Sequence, residues 1–178
     1  MIRKIMDKNA IEKTLSRLSH EIIERNENLD EVVLIGIKSR GDIMARRIAD
    51  KIKNFTKKNI PVGAIDITFY RDDVNLKISK AVQPTDIRFD INNKSIILID
   101  DVLFTGRSTR SAIDALLDFG RPGKIQLLVL IDRGHKELPI QADYVGKNIP
   151  TSLKEEVKIK VKELDGEDSV EILEGEIT

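Results

Sequence analysis

Two carboxylates, Asp100 and Asp101, stand side by side at the end of an apolar run in SIILIDDVLFTGRSTRSA (95–112). Leaving adjacent carboxylates partly desolvated costs roughly several kcal/mol per uncompensated ion unless a cation or hydrogen-bond donors meet them. Five residues on, Thr105, Gly106, Arg107, Ser108 and Thr109 supply a glycine, three hydroxyls and a guanidinium at the start of a helical pattern. There, free backbone N–H groups and the helix dipole favour a phosphate. Either part alone reads equally as strand-end punctuation or as a helix cap. Joined in this order after IILI, they describe one ligand with sugar hydroxyls or a metal at one end and a phosphate at the other, as in a ribose 5-phosphate.

Elements of alternating type must position these groups. From Asp7, an N-cap residue, Ile11, Leu15, Leu18 and Ile22 recur at helical spacing, with Lys13, Ser16, Arg17, His20 and Arg25 on the other face. VVLIGI (32–37) reads as a buried strand, KSRGD as a loop and 43–55 as a second helix. PVGAIDITFY (61–70) alternates like a strand, and the polar stretch 71–94 is too long for an ordinary turn, which marks a flexible loop or lid. SIILID is the third strand, TGRSTRSAIDALLDFG its helix, closed by Gly120 with Pro122 beyond, and IQLLVLID (125–132) the fourth strand. This alternation predicts a mostly parallel central sheet with right-handed crossovers, and in such sheets ligands bind beyond the carboxyl ends of the strands. ADYVG (142–146), VKIKVKEL (157–164) and SVEIL (169–173) suggest short strands and a terminal hairpin turning at Asp165 and Gly166.

The chain has 178 residues, 40% hydrophobic and 34% charged, enough for a single domain spanning 1–178 with one core. No stretch approaches the roughly 18 apolar residues of a membrane span, so no membrane contact and a cytoplasmic location are expected. The absence of cysteine excludes disulfides and thiolate metal sites, and two histidines leave little for zinc, so any metal is a hard one held by oxygens. The zero net charge hides an asymmetry: residues 1–150 carry 26 Lys and Arg against 21 Asp and Glu, a net +5, and residues 151–178 a net −5. A basic face therefore remains open to the first part.

The run IILIDDVLFTGRSTRSA resembles the ribose-phosphate signature of the type I phosphoribosyltransferases, enzymes that use 5-phosphoribosyl 1-pyrophosphate (PRPP). The resemblance implies their α/β fold, helices on a mostly parallel sheet with a small C-terminal β hairpin or hood. It puts Asp100 and Asp101 against the ribose hydroxyls and Thr105, Gly106, Arg107, Ser108 and Thr109 around the 5-phosphate. KSRG (Lys38, Ser39, Arg40, Gly41) becomes the pyrophosphate loop, with Arg40 clamping the leaving group, although a plain basic loop before a helix would look the same. FYRDD (69–73) opens a loop that closes over the diphosphate, with Arg71 reaching in. Asp100, Asp101, Arg40 and Arg71 are thus the expected catalytic residues. Mg²⁺ enters with PRPP and needs no protein cage, since it prefers one or two carboxylates plus phosphate oxygens.

DRGHKELPIQADYVGKNIPTS, with IERN, GIKSRG and FYRDD, is similar to a narrower family, the pyrimidine operon attenuation regulators that are also uracil phosphoribosyltransferases, over about residues 4–172. That implies uracil as acceptor, UMP as product, and a uracil site at Ile131, Asp132, Arg133 and Gly134. Phe104 stands where purine-using relatives carry an acid, which argues against a purine, and no side-chain general base is assigned. The same resemblance implies binding of a leader mRNA hairpin through its single-stranded loop. Candidates are Ser16, Arg17, His20, Arg25, His135, Lys136 and Lys147, each also readable as part of a solvated face, and Gln141 is neutral where a basic residue is expected. With aromatics at 4%, no stacking platform is expected, and the acidic tail should sit away from RNA as a solvated hairpin or at a subunit contact. A homodimer or dimer of dimers is also implied. The alternatives are a uracil salvage enzyme without RNA binding and a UMP sensor without catalysis; the intact Arg40, Arg71, Asp100 and Asp101 speak against the latter.

Overall fold

The computed structural model describes residues 1–68 and 85–175. Its centre is β4 (Ser95–Leu103), which carries the SIILID run and extends past both aspartates. On one side lie β2 (Val32–Ile37), buried at every position, and then β3 (Val62–Ile65); on the other lie β5 (Lys124–Asp132) and then β6 (Tyr144–Asn148). All four pairings are parallel. Both faces are covered, so the inner strands read as unbroken apolar runs. Leu34, Ile97, Ile99 and Leu128 turn to a core shared with α1 (Lys8–Arg25) and α2 (Gly41–Thr56), whereas Val33, Ile35, Ile96 and Leu98 turn to a second core under α3 (Arg107–Leu117). Each fully buried Ile or Leu among them contributes roughly 1.5–3 kcal/mol. Asp7 caps α1 as expected, its Oδ1 accepting from the Ala10 N–H at 2.8 Å.

The expected terminal hairpin is part of a three-stranded antiparallel hood. β7 (Glu155–Lys160) and β8 (Ser169–Glu174) pair directly, and β1 (Ile2–Met6) adds to β8. Sequence reading missed β1 because most of its side chains are exposed and its partner lies at the other end of the chain. It also carried the β7 strand too far: residues 162–164 belong to α4 (Lys162–Asp165), whose C-terminal Gly166 at φ 80° turns the chain into β8.

Two further expectations change. The strand read at 61–70 stops at Ile65, because Asp66 folds back to accept the Thr68 N–H and hydroxyl and its own N–H goes to the Thr85 Oγ1. The loop expected over 71–94 has an ordered end: Asp86 bridges Ala64, Ile91 is buried, and Ile87 and Phe89 pack on the second core. Residues 69–84 lie outside the described residues.

The acidic tail is fastened to α2 rather than simply solvated. Arg47 binds Glu163 (Nε to Oε1, 2.9 Å) and Asp168 (Nη2 to Oδ1, 2.8 Å), and the Asp168 side chain is only 4% exposed. Arg47 holds the Glu163 carboxyl below its ordinary value. Burial pushes Asp168 up, but Arg47 and the Lys162 N–H outweigh it and leave that carboxyl low as well. Groups lowered in the folded state stabilise fully above their unfolded pKa, near 4, and lose that contribution as pH falls through the folded value. Arg47→Met is therefore expected to cost about 2–4 kcal/mol in urea unfolding at neutral pH, and to flatten the loss of stability below about pH 4.

Candidate active site at the carboxyl ends of the strands

Asp100 is 9% exposed. Its Oδ1 accepts the Asp101 N–H at 2.9 Å, and the Asp101 Oδ1 accepts the Val102 N–H at 2.8 Å, so each carboxylate is fixed by the amide that follows it. β4 then turns through Gly106, whose φ of 90° suits glycine and whose Cβ would meet Ile140 at 3.4 Å. No side chain caps α3. Thr105 Oγ1 makes only a long contact, 3.3 Å, with the Arg107 N–H, and Arg107 Nε pairs with Glu137 at 3.0 Å. A cleft of about 360 Å³ runs from Asp100 past Phe104 and along Thr105 to Thr109, with Glu137 on its wall. Asp100 and the Thr105 to Thr109 segment thus line one cavity, and Asp101 is not among the residues that line it.

The KSRG loop is held against the same strand end. A Cβ on Gly41 would lie 2.3 Å from the Ile99 carbonyl oxygen and 3.3 Å from the Asp100 Cα, so only glycine lets the start of α2 touch β4 immediately before the acid pair. The Lys38 N–H donates to the Ile65 carbonyl at 2.9 Å, and the Lys38–Ser39 peptide is cis. Arg40, expected to face a leaving group, grips Asp165 of the hood through Nη2 to Oδ1 (2.9 Å) and Nε to Oδ2 (3.3 Å). Burial pushes the Asp165 carboxyl up, yet the Val161 N–H and Arg40 outweigh it and hold it below its usual value. Sequence reasoning could not have found Asp165 here, because 125 residues separate the pair and Asp165 reads only as a turn residue. Glu137 also went unnoticed, although it lies in the GHKELPI run. Arg71 lies outside the described residues.

At the nucleobase end the four expected residues divide. Ile131 is wholly buried in the core, and Asp132 Oδ1 accepts the Gly134 N–H at 3.0 Å. Arg133, 6% exposed, donates to Thr151 Oγ1 and to the carbonyls of Ser152 and Glu155, at 3.1, 3.0 and 2.7 Å. Burial lowers its pKa, opposed by Glu155 and Glu156. Its guanidinium lies 4.0 Å over the Phe104 ring, and His135 meets the same ring edge-on at 6.1 Å. Arg133 therefore sets Phe104 and the start of the hood in place, with Nε and Nη2 engaged by the Thr151 to Glu155 segment.

The candidate nucleic-acid contacts occupy three places. Arg17 donates to the Val145 and Gly146 carbonyls and pairs with Glu21, while Arg25 donates to the Asp143 carbonyl and lies 4.8 Å over Tyr144; both thereby meet β6, which contains Lys147. Ser16, half-buried, and His20 lie on α1, where the exposed His20 ring stacks on Phe55 of α2 at 4.1 Å. An exposed aromatic pair thus exists where none was expected. His135 contacts the Thr151 carbonyl and Lys136 approaches Asp132 at 3.8 Å, both beside the nucleobase end.

Residues 1–163 match the family model of the phosphoribosyl transferase domain. The chain belongs to that family. Such a transferase is an enzyme of the PRPP-using type anticipated from IILIDDVLFTGRST. The bifunctional protein PyrR of Ligilactobacillus salivarius is 52% identical over 175 residues, covering 97% of this chain and 98% of that protein. A bifunctional protein PyrR from Clostridium beijerinckii is 56% identical over 172 residues, 96% of each. Among solved structures, a hypoxanthine phosphoribosyl transferase of Trypanosoma cruzi superposes with a TM-score of 0.71 at 18% identity, over 96% of this chain and 90% of that one, which speaks to the fold alone. Because position 41 admits no Cβ, Gly41→Ala is expected to push the KSRG loop off β4. The expected result is at least a tenfold loss in kcat/KM for PRPP and a stability cost of about 1–3 kcal/mol by thermal unfolding.

Proposed function

We propose that this protein is a bifunctional regulator and enzyme of the PyrR kind. It converts uracil and PRPP to UMP and pyrophosphate, and it binds a leader mRNA hairpin to regulate pyrimidine genes in response to UMP. The observation that carries the catalytic half is the contact of Gly41 with Ile99 and Asp100, which puts the KSRG loop and the acid pair at one strand end above the phosphate cradle. The regulatory half rests on identity to PyrR proteins over nearly the full chain.

In the reaction, uracil N1 attacks ribose C1, the bond from C1 to the diphosphate oxygen breaks, and the transition state has oxocarbenium character. Thr105 to Thr109 hold the 5-phosphate on the first turn of α3, Asp100 and Asp101 orient the ribose hydroxyls, and Arg40 takes charge on the departing diphosphate. Catalysis is thus positioning and charge stabilisation. Among the described residues no cluster of three or more acidic, His or Cys side chains could hold a metal alone. Asp100 and Asp101, two adjacent carboxylates, would suit Mg²⁺ carried in by the diphosphate, and the ion would supply neutralisation of charge on the leaving group. Phe104, pinned by Arg133, gives the base end an apolar floor without the acid that a purine would use.

The salvage-only reading has one observation in its favour: Arg17 and Arg25 already serve β6. The deciding experiment titrates a leader RNA hairpin against wild type, Arg17→Gln and His20→Ala, each with and without UMP, alongside uracil turnover. The regulatory reading expects both variants to lose RNA binding and keep turnover, and UMP to tighten the wild-type complex, with RNA tightening UMP by the same factor. Equal weak binding by all three, unmoved by UMP, leaves the salvage enzyme. Asp100→Asn with Asp101→Asn should lower turnover by orders of magnitude while RNA binding persists, and uracil should be strongly preferred to hypoxanthine, guanine or adenine in a competition assay. Wild-type turnover in the double variant removes the acid pair from the mechanism.

A further inference from the structure

The edge of Arg40 that should meet the leaving group is taken. Its Nε and Nη2 both point at the Asp165 carboxylate, the two-pronged geometry with which a guanidinium also receives a phosphate. Asp165 presents both oxygens to it, and Oδ2 also accepts the Val161 N–H at 2.8 Å. The pair sits near the surface, its side chains 29% and 20% exposed. Seven residues along α2, two turns away on the same side, Arg47 holds Glu163 and the deeply buried Asp168. Thus the segment from α4 to Asp168 is attached to α2 and the residue before it at two points, one deep at Arg47 and one nearer the surface at Arg40.

We infer that Asp165 is a carboxylate stand-in for the diphosphate: it occupies Arg40 while the donor site is empty and yields it when diphosphate arrives, so that the competition sets the affinity for PRPP. This rests on Arg40 being the pyrophosphate clamp, as proposed above. One guanidinium edge accepts one anion in this geometry, and a diphosphate brings more charge to it than a single carboxylate. Arg47 keeps the hood on α2 during the exchange. Asp165 acts on the reaction only through Arg40 and is a positioning residue.

Asp165→Asn isolates this role, because the amide oxygen still accepts the Val161 N–H while the NH₂ takes the place of Oδ1, which removes the negative charge and the 2.9 Å bond from Arg40 Nη2 and leaves only the long contact with Nε. Calorimetric titration of magnesium pyrophosphate into the full chain should show a Kd about fivefold lower in this variant than in wild type. KM for PRPP should fall by a similar factor, with KM for uracil unchanged. Asp165→Glu, which restores the charge, should return toward wild type. Glu163→Gln, which loosens the hood without touching Arg40, should leave pyrophosphate affinity where it was. Unchanged or weaker pyrophosphate binding in Asp165→Asn overturns the inference, as does an equal gain in Glu163→Gln. Arg40→Gln separates the two readings. If it weakens pyrophosphate binding while Asp165→Asn changes nothing, the clamp stands and the exchange alone fails. If it binds like wild type, the clamp assignment fails and takes the exchange with it.

Discussion

A backbone contact that leaves no room for one methyl group organises this protein. Gly41 opens α2 so close to β4 that a side chain there would overlap the Ile99 carbonyl. Because α2 begins at that point, the KSRG loop must end beside Asp100, and the direction of α2 then fixes where Arg40 and Arg47 emerge. A second close approach, between Gly36 on β2 and the backbone of Asp42, tightens the same corner. A basic loop and an acidic strand end are thereby set side by side.

The charge asymmetry along the chain acquires a physical meaning from the hood. The excess acid of the last segment answers particular guanidinium groups on α2, and Lys160 within β7 neutralises Glu167 and Glu171 beside it. The hood is thus fastened by charge at Arg40 and Arg47. An apolar contact would hold regardless of what entered, whereas ion pairs respond to a new anion nearby. Arg133 ties the other end of the hood to the end of β5 through the Ser152 and Glu155 carbonyls.

Much of this was legible in the amino-acid order. β2 and β4 announce themselves because burial on both faces forces continuous apolar runs, and the proximity of Asp100 to the T-G-R-S-T segment was readable because few residues separate them along the chain. β1 was not legible, since an exposed strand pairing with a remote partner carries little local pattern. Asp165 was invisible for a related reason: its role exists only where the hood meets α2. Arg133 was read as part of a uracil site, but its burial and its carbonyl partners depend on a loop twenty residues downstream and carry no local signal. The His20 and Phe55 pair escaped because a low aromatic total says nothing about where two rings come together.

The arginines of α1 have one more consequence. β6 is the outermost strand of the five-stranded sheet, and such a strand ordinarily offers unpaired carbonyls on which another extended chain can template itself. Here Arg17 covers the carbonyls of Val145 and Gly146, and Arg25 covers that of Asp143 just before the strand. Those acceptors are spent inside the molecule, so the sheet resists being lengthened by a stranger's strand. The arginines of this helix would in the same stroke guard the protein against aggregation through its own border.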